Sequence, residues 1–221
     1  MENITKEIFQ VGGSGITSSE DAAIYLINFN GHAALVDAGC GYSVGKLLKN
    51  IRACGVKPPQ VEYMLTTHCH FDHTGGVNEL KKHFKFKTAA HELDAPFLES
   101  GDNVVTAASW YGSVIKPFNI DIKFSGDRQT IELGNRKIDA IHIPGHSPGS
   151  LAYLTESEGK RVIFAQDVHG PLADSLLSDE IRYKQSLELL AGLEADILCE
   201  GHYGIYKGRQ EIKKFIESFI Q

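Results

Sequence analysis

"TTHCHFDHTGG" (residues 66–76) places three histidines and an aspartate, His68, His70, Asp72 and His73, within six positions. The whole chain has only ten histidines, so this is a concentration rather than a scatter. Four titratable side chains this close together cannot form a core, and a plain solvated loop rarely chooses imidazoles so densely; the segment reads as a metal-binding candidate. Its flanks set the architecture. The apolar run "VEYMLTT" (61–67) stops where the polar cluster begins, as a strand does when it delivers ligands to a sheet edge. After Thr74-Gly75-Gly76, "VNELKKHF" predicts a helix, "KFKTAA" the next strand, and "HELDAPFLES" another helix.

Further out, residues 4–12 read as extended. "AAIYLINF" (22–29) and "HAALVDAG" (32–39) flank Asn30-Gly31, a hairpin signal. Residues 43–53 have helical spacing at Val44, Leu47, Leu48 and Ile51, with Gly55 as a stop. Residues 100–120 show no period and hold the only tryptophan. Strands return with "DIKF", "QTIEL", "RKIDAIHIP", "SLAYLTE" and "RVIFAQD". A helix is expected over 175–193, a last strand in "ADILCEGH" (195–202), and a closing amphipathic helix through Ile212, Phe215, Ile216 and Phe219. Strands cluster in both halves, each set with its own helices. The expected class is α/β, with two sheets covered by helices in four layers.

Composition narrows the function. With 42% hydrophobic residues, 221 residues suffice for one sizeable core, so one domain over 1–221 is the expectation. Net charge is −6 and no cationic run exceeds two adjacent residues, which argues against a nucleic-acid partner. No apolar run approaches the roughly 20 residues of a membrane span. The amino terminus, MENITKEIFQ, does not read as a secretion segment, and cysteines 40, 54, 69 and 199 lack paired short spacing. A cytoplasmic protein with reduced thiols is expected.

Three more metal-type donors stand at strand ends: His146 in "IHIPGHSPGS", Asp167 in "VIFAQDVHG" and His202 in "ILCEGHYG". Each alone reads as a loop or cap residue. Together with the first motif they make seven donors, too many for one tetrahedral ion and suited to two divalent ions sharing a bridging carboxylate. Imidazole and carboxylate suit zinc, iron or manganese. His169 lies two residues past Asp167 and is a candidate to face the same cavity. Cys69 should point away from its neighbours. His32, His83, His91 and His142 fall outside the strand-end pattern. Trp110 and Tyr111 are candidates for an apolar wall against a small-molecule substrate.

"THCHFDHTGG" with "PGHSPGS", "AQD" and "EGH" resembles the metallo-β-lactamase superfamily, with marks running from Asp37 to His202. The resemblance implies an αβ/βα sandwich with two metal ions, most often zinc, at the cleft between the sheets. It implies that His68, His70 and His146 hold one ion, that Asp72, His73 and His202 hold the other, and that Asp167 bridges them. Asp37, in "LVDAG", matches an aspartate that steadies the metal loop. Within the superfamily the chain is most similar to glyoxalase II-like thioester hydrolases, although no lysine or arginine lies between Asp167 and Arg182 for a glutathione carboxylate. Acyl-homoserine lactonases share the seven ligands but carry a tyrosine where this chain has Gly170. Persulfide dioxygenases, which use one iron, share the "THCH" pattern. The implied reaction is hydrolysis of a small thioester or lactone by a metal-bridging hydroxide. Asp72 would orient the hydroxide and pass on its proton. A homodimer is compatible with this reading.

Overall fold

The computed structural model describes residues 1–220, which build two sheets and the helices that cover them. The first contains β1 (Glu2–Asn3), β2 (Ile8–Gly12), β3 (Ile24–Phe29), β4 (His32–Val36), β5 (Val61–Leu65), β6 (Lys87–His91) and β7 (Ile122–Phe124), in that spatial order. β1 to β4 form an antiparallel meander, and β4 to β7 run parallel. The second contains β8 (Arg128–Leu133), β9 (Arg136–His142), β10 (Leu151–Ser157), β11 (Lys160–Phe164), β12 (Ile197–Cys199) and β13 (Ile205–Lys207). Its ladders are antiparallel except β11 with β12. The helices are α1 (Val44–Ala53), α2 (Phe71–Thr74), α3 (Val77–Leu80), α4 (Ala95–Ser100), α5 (Glu180–Gly192) and α6 (Arg209–Glu217).

Strand alternation sorts the apolar side chains into three cores, and so into four layers. On β3, Ile24 and Leu26 pack with Leu47 and Ile51 of α1. Tyr25, Ile27 and Phe29 point the other way and meet Tyr153 and Phe164 of the second sheet. On β10, Ala152 and Leu154 turn outward to Leu187, Leu190, Ile212 and Ile216 of α5 and α6. The expected αβ/βα sandwich is the one observed. Burying each such side chain contributes roughly 1.5–3 kcal/mol. The middle layer also reaches the loops. The Tyr25 hydroxyl donates to the Glu200 carbonyl at 2.6 Å, and that of Tyr153 donates to the Thr66 carbonyl at 2.8 Å.

The hairpin forms as expected, with both turn residues left-handed (Asn30 φ 53°, Gly31 φ 92°). Elsewhere boundaries shift. The helix expected over 91–100 begins at Ala95, because β6 continues to His91 and the Asp94 carboxylate is committed to other loops. The helix expected over 77–84 is regular only over Val77–Leu80. The helix expected over 175–193 is broken at Leu177 (φ 56°) and restarts at Glu180, capped by the Asp179 carboxylate accepting from the Arg182 amide. Ile181, apolar in the periodic pattern, is exposed. β12 is shorter than expected, and β13 was not foreseen. No helix among the described residues is long and apolar enough to cross a membrane.

His91 and His142 stack on each other, with ring centroids 3.8 Å apart and planes 11° from parallel. Burial, with His142 beside it, pushes His91 down to about 4. The folded chain therefore keeps His91 neutral, while an unfolded histidine takes a proton near pH 6.5. Stability contributed here is present above pH 6.5 and is lost as pH falls toward 4. The denaturation midpoint of the metal-stripped protein should fall across that window, and His91→Phe should reduce the slope. An unchanged slope would contradict this reading.

Candidate metal centre

The strands explain why the donors meet. Asp37 follows β4, His68 follows β5, His146 lies four residues beyond β9, Asp167 follows β11 and His202 follows β12. All seven expected ligands converge at one end of the sandwich. Ligand atoms of His68, His70, His146 and Asp167 lie within 4.8 Å of one another, as do those of Asp72, His73 and His202. Asp167 stands between the two groups. Its Oδ2 is 3.0 Å from His146 Nε2 and 3.5 Å from His68 Nε2. Its Oδ1 is 3.3 Å from both His73 Nε2 and His202 Nε2. Asp72 Oδ2 is 3.2 Å from His202 Nε2.

Outer contacts set which nitrogen of each ring faces inward. His73 Nδ1 pairs with Asp37 Oδ2 at 2.8 Å, His68 Nδ1 with the Thr67 hydroxyl at 3.1 Å, and His146 Nδ1 with the Pro171 carbonyl at 3.0 Å. Asp37 also accepts from the Thr67 amide and hydroxyl, which ties the aspartate of "LVDAG" to the segment that leads into His68. Among the described residues, His68 Nε2, His70 Nε2, His73 Nε2 and Asp167 Oδ1 are buried without a hydrogen-bond partner. Buried polar atoms rarely go unpaired. Orphaned imidazole nitrogens converging on carboxylates therefore fit divalent cations.

The electrostatics agree. Burial, with His73 close by, pushes His68 down to about 3, and burial also holds His70 well below the usual histidine range. Both are neutral, as ligands must be. Burial would raise Asp167, but the His73 imidazole and contacts from His146, His202 and His68 hold it well below the carboxylate range. Burial would likewise lower His73 and His202. The carboxylates outweigh it, raising His73 well above its ordinary value and His202 to about 10. A field that favours imidazolium favours any cation placed there.

A cavity of about 150 Å³ opens onto this centre, lined by His70, Asp72, Trp110, Tyr111, His169 and His202 among others. Trp110 and Tyr111, expected as a wall, and His169, expected to face the cavity, all line this space. Trp110 and Tyr111 lie on a 3-10 turn, Ala108–Tyr111, within the segment that showed no period. The Thr106 carbonyl accepts from the Phe71 amide at 2.7 Å, which ties that segment to the metal loop. Burial and the Asp72 carboxylate raise the Tyr111 phenol well above its usual range. Cys69 turns away into the first core, as expected.

Two buried carboxylates were missed. Asp94 accepts from the Cys69 amide (2.9 Å), the Gly149 amide (2.6 Å) and the Ser147 hydroxyl (2.6 Å), joining the first motif to the His146 loop. Glu200 accepts from the amides of Val168, His202 and Tyr203 and contacts His169 Nδ1 at 3.1 Å, joining the Asp167 and His202 loops. Glu200 sits in "CEGH" beside a candidate ligand, which was a usable signal; Asp94 had none. Gly201 matters for space, because a Cβ there would meet Asp167 Oδ1 at 2.7 Å and Gln166 Oε1 at 2.9 Å. Gly201→Ala should displace Asp167 and lower turnover about 10–100-fold, as loss of a supporting contact does, with little change in melting temperature. Wild-type turnover in that variant would contradict the tight placement of Asp167.

A four-layer αβ/βα sandwich with a buried His/Asp donor cluster at one end fits a metal-dependent enzyme. The chain belongs to the metallo-beta-lactamase superfamily, whose family model matches residues 20–202. It is similar to an acyl-coenzyme A thioesterase of Gallus gallus, 28% identical over an alignment of 242 positions, gaps included, that covers 96% of this chain and 83% of that protein. It is also similar to a hydroxyacylglutathione hydrolase of Aeromonas salmonicida, 27% identical over 194 residues that span 83% of this chain and 62% of that protein. Among solved structures, a mutant metallo-beta-lactamase from Cronobacter sakazakii matches with a TM-score of 0.81 at 22% identity, over 98% of this chain and 92% of that one. That likeness is one of fold.

Proposed function

We propose that this protein is a dinuclear metal-dependent hydrolase of acyl thioesters, acting on a small molecule. The observation that carries the reading is Asp167, whose two oxygens each face a different group of donors. His68, His70 and His146 would hold one divalent ion, and Asp72, His73 and His202 the other, with zinc the first choice and iron or manganese next. Divalent ions bound there would supply a water whose pKa is lowered from about 15.7 toward roughly 7 and would polarise a carbonyl.

The chain's own residues do the rest. Asp72 lines the cavity and touches His202, so it can orient a water and accept its proton. Trp110 and Tyr111 line the cavity and give it an apolar side. A thiolate, with a parent pKa near 8.5, leaves with little acid assistance, which suits a cavity without a dedicated acid. The similarity to two proteins named for thioester hydrolysis supports this choice of bond. The complete second group of donors supports a hydrolase over a one-iron dioxygenase.

The test is thiol release from acyl-coenzyme A, acyl-glutathione and acyl-N-acetylcysteamine, run beside a lactone panel and oxygen uptake with a persulfide. Thiol release that chelator abolishes and zinc restores is expected. Oxygen uptake with no thiol release would contradict the proposal.

A further inference from the structure

His169 belongs to two cavities. Besides facing the metal centre, it lines a second space of about 220 Å³ with Leu172, Tyr183, Phe219 and the Glu180–Lys184 pair. The walls of this space are anchored to the site. The Tyr183 hydroxyl donates to the Val168 carbonyl, one residue past Asp167. The Ser178 hydroxyl donates to the His146 carbonyl at 2.8 Å, and the Asp179 amide to the Gly145 carbonyl at 2.8 Å. Leu172 and Phe219 rest on the third core. The His169 imidazole is held by Glu200 and by the Tyr203 ring, whose centroid is 4.6 Å away.

The charges decide what this space would take. Lys184 Nζ lies 3.2 Å from Glu180 Oε1, one turn apart on α5, so the two neutralise each other. Among the described residues lining the cavity, no other lysine or arginine remains for a phosphate or carboxylate of a carrier thiol. What remains is Leu172, Phe219 and the Tyr183 ring, an apolar surface that shares His169 as a wall with the cavity at the reaction centre.

We propose that this second cavity is the acyl-chain subsite, so that the enzyme favours thioesters whose chain extends past His169. This rests on the thioester reading above. Burial of each added methylene should raise kcat/KM about three- to fourfold until the cavity is filled.

The experiment measures kcat/KM for the metal-loaded enzyme with acetyl to dodecanoyl thioesters of both N-acetylcysteamine and coenzyme A. The expected result is a rise with chain length and then a plateau, alike for the two carriers. In Leu172→Glu the octanoyl-to-acetyl ratio should fall on the order of tenfold or more, and in Phe219→Ala the plateau should move to longer chains. A variant that merely folds poorly lowers both rates together and leaves the ratio unmoved. Hydrolysis without chain-length preference, a ratio unchanged in both variants, or effects that follow the carrier rather than the chain would overturn the subsite while leaving thioester hydrolysis in place. Absence of all thioester hydrolysis would overturn both.

Discussion

Replacing Asp167 with alanine is expected to strip the centre of metal and to lower turnover by about a thousandfold or more. Among the described residues, its carboxylate is the one whose oxygens face both sets of donors, at 3.0 and 3.5 Å on one side and 3.3 Å on the other. Without it, imidazoles from His68, His73, His146 and His202 would crowd together with Asp72 beside them and Asp37 behind His73 as the remaining counter-charge. Affinity at both positions should suffer, whereas loss of a ligand to one ion would spare the other. Asp167 is also left-handed, at φ 56°, a conformation that costs a non-glycine residue on the order of 1–2 kcal/mol and that asparagine tolerates well. Asp167→Asn should therefore keep the backbone and melting behaviour while still losing metal. If Asp167→Ala retained the wild-type metal content, the bridging role would be wrong.

Asp94→Ala should have the largest effect on stability. The carboxylate is fully buried and accepts from three donors on two different loops. Truncation leaves the Cys69 and Gly149 amides and the Ser147 hydroxyl without their acceptor, at a cost of about 3–5 kcal/mol. For a chain of this size that corresponds to a melting temperature lowered by roughly 10 °C. His70 and His146 lie in the two loops that Asp94 ties together, so metal affinity should fall with stability. Asp94→Asn, which keeps one acceptor oxygen, should fall between. A melting temperature unchanged in Asp94→Ala, followed by circular dichroism, would show that the loops hold without this carboxylate.

The contrast between Asp167 and Asp94 shows what sequence exposes. Asp167 ends an apolar strand, as do His68 and His202, and a strand that stops at a metal-type donor is a local pattern. Asp94 acts on Cys69, Ser147 and Gly149, residues 25, 53 and 55 positions away, so nothing near "ELDAP" distinguishes it from a helix cap. Alternation on β3 and β10 made the layers legible, because period two assigns each side chain to one face. The two- and three-residue strands β1 and β13 have no period to read and exist only through their partners. The break at Leu177 escaped for a related reason. Leucine spacing through that stretch is helical, and only the Asp179 cap and the contacts around His146 place the start at Glu180. Trp110 and Tyr111 lacked periodicity but reach the cavity, because the Phe71–Thr106 hydrogen bond draws their segment to the metal loop.

The most direct test of the dinuclear centre is elemental analysis of protein purified aerobically without added metal or chelator, with metal counted per chain. Two divalent ions per chain, as zinc or as a mixture of zinc with iron or manganese, is the predicted result. One iron per chain with no second ion would contradict a shared Asp167 and point to oxygen chemistry. Failure to retain metal even after reconstitution would contradict the reading of "TTHCHFDHTGG" as a metal-binding segment.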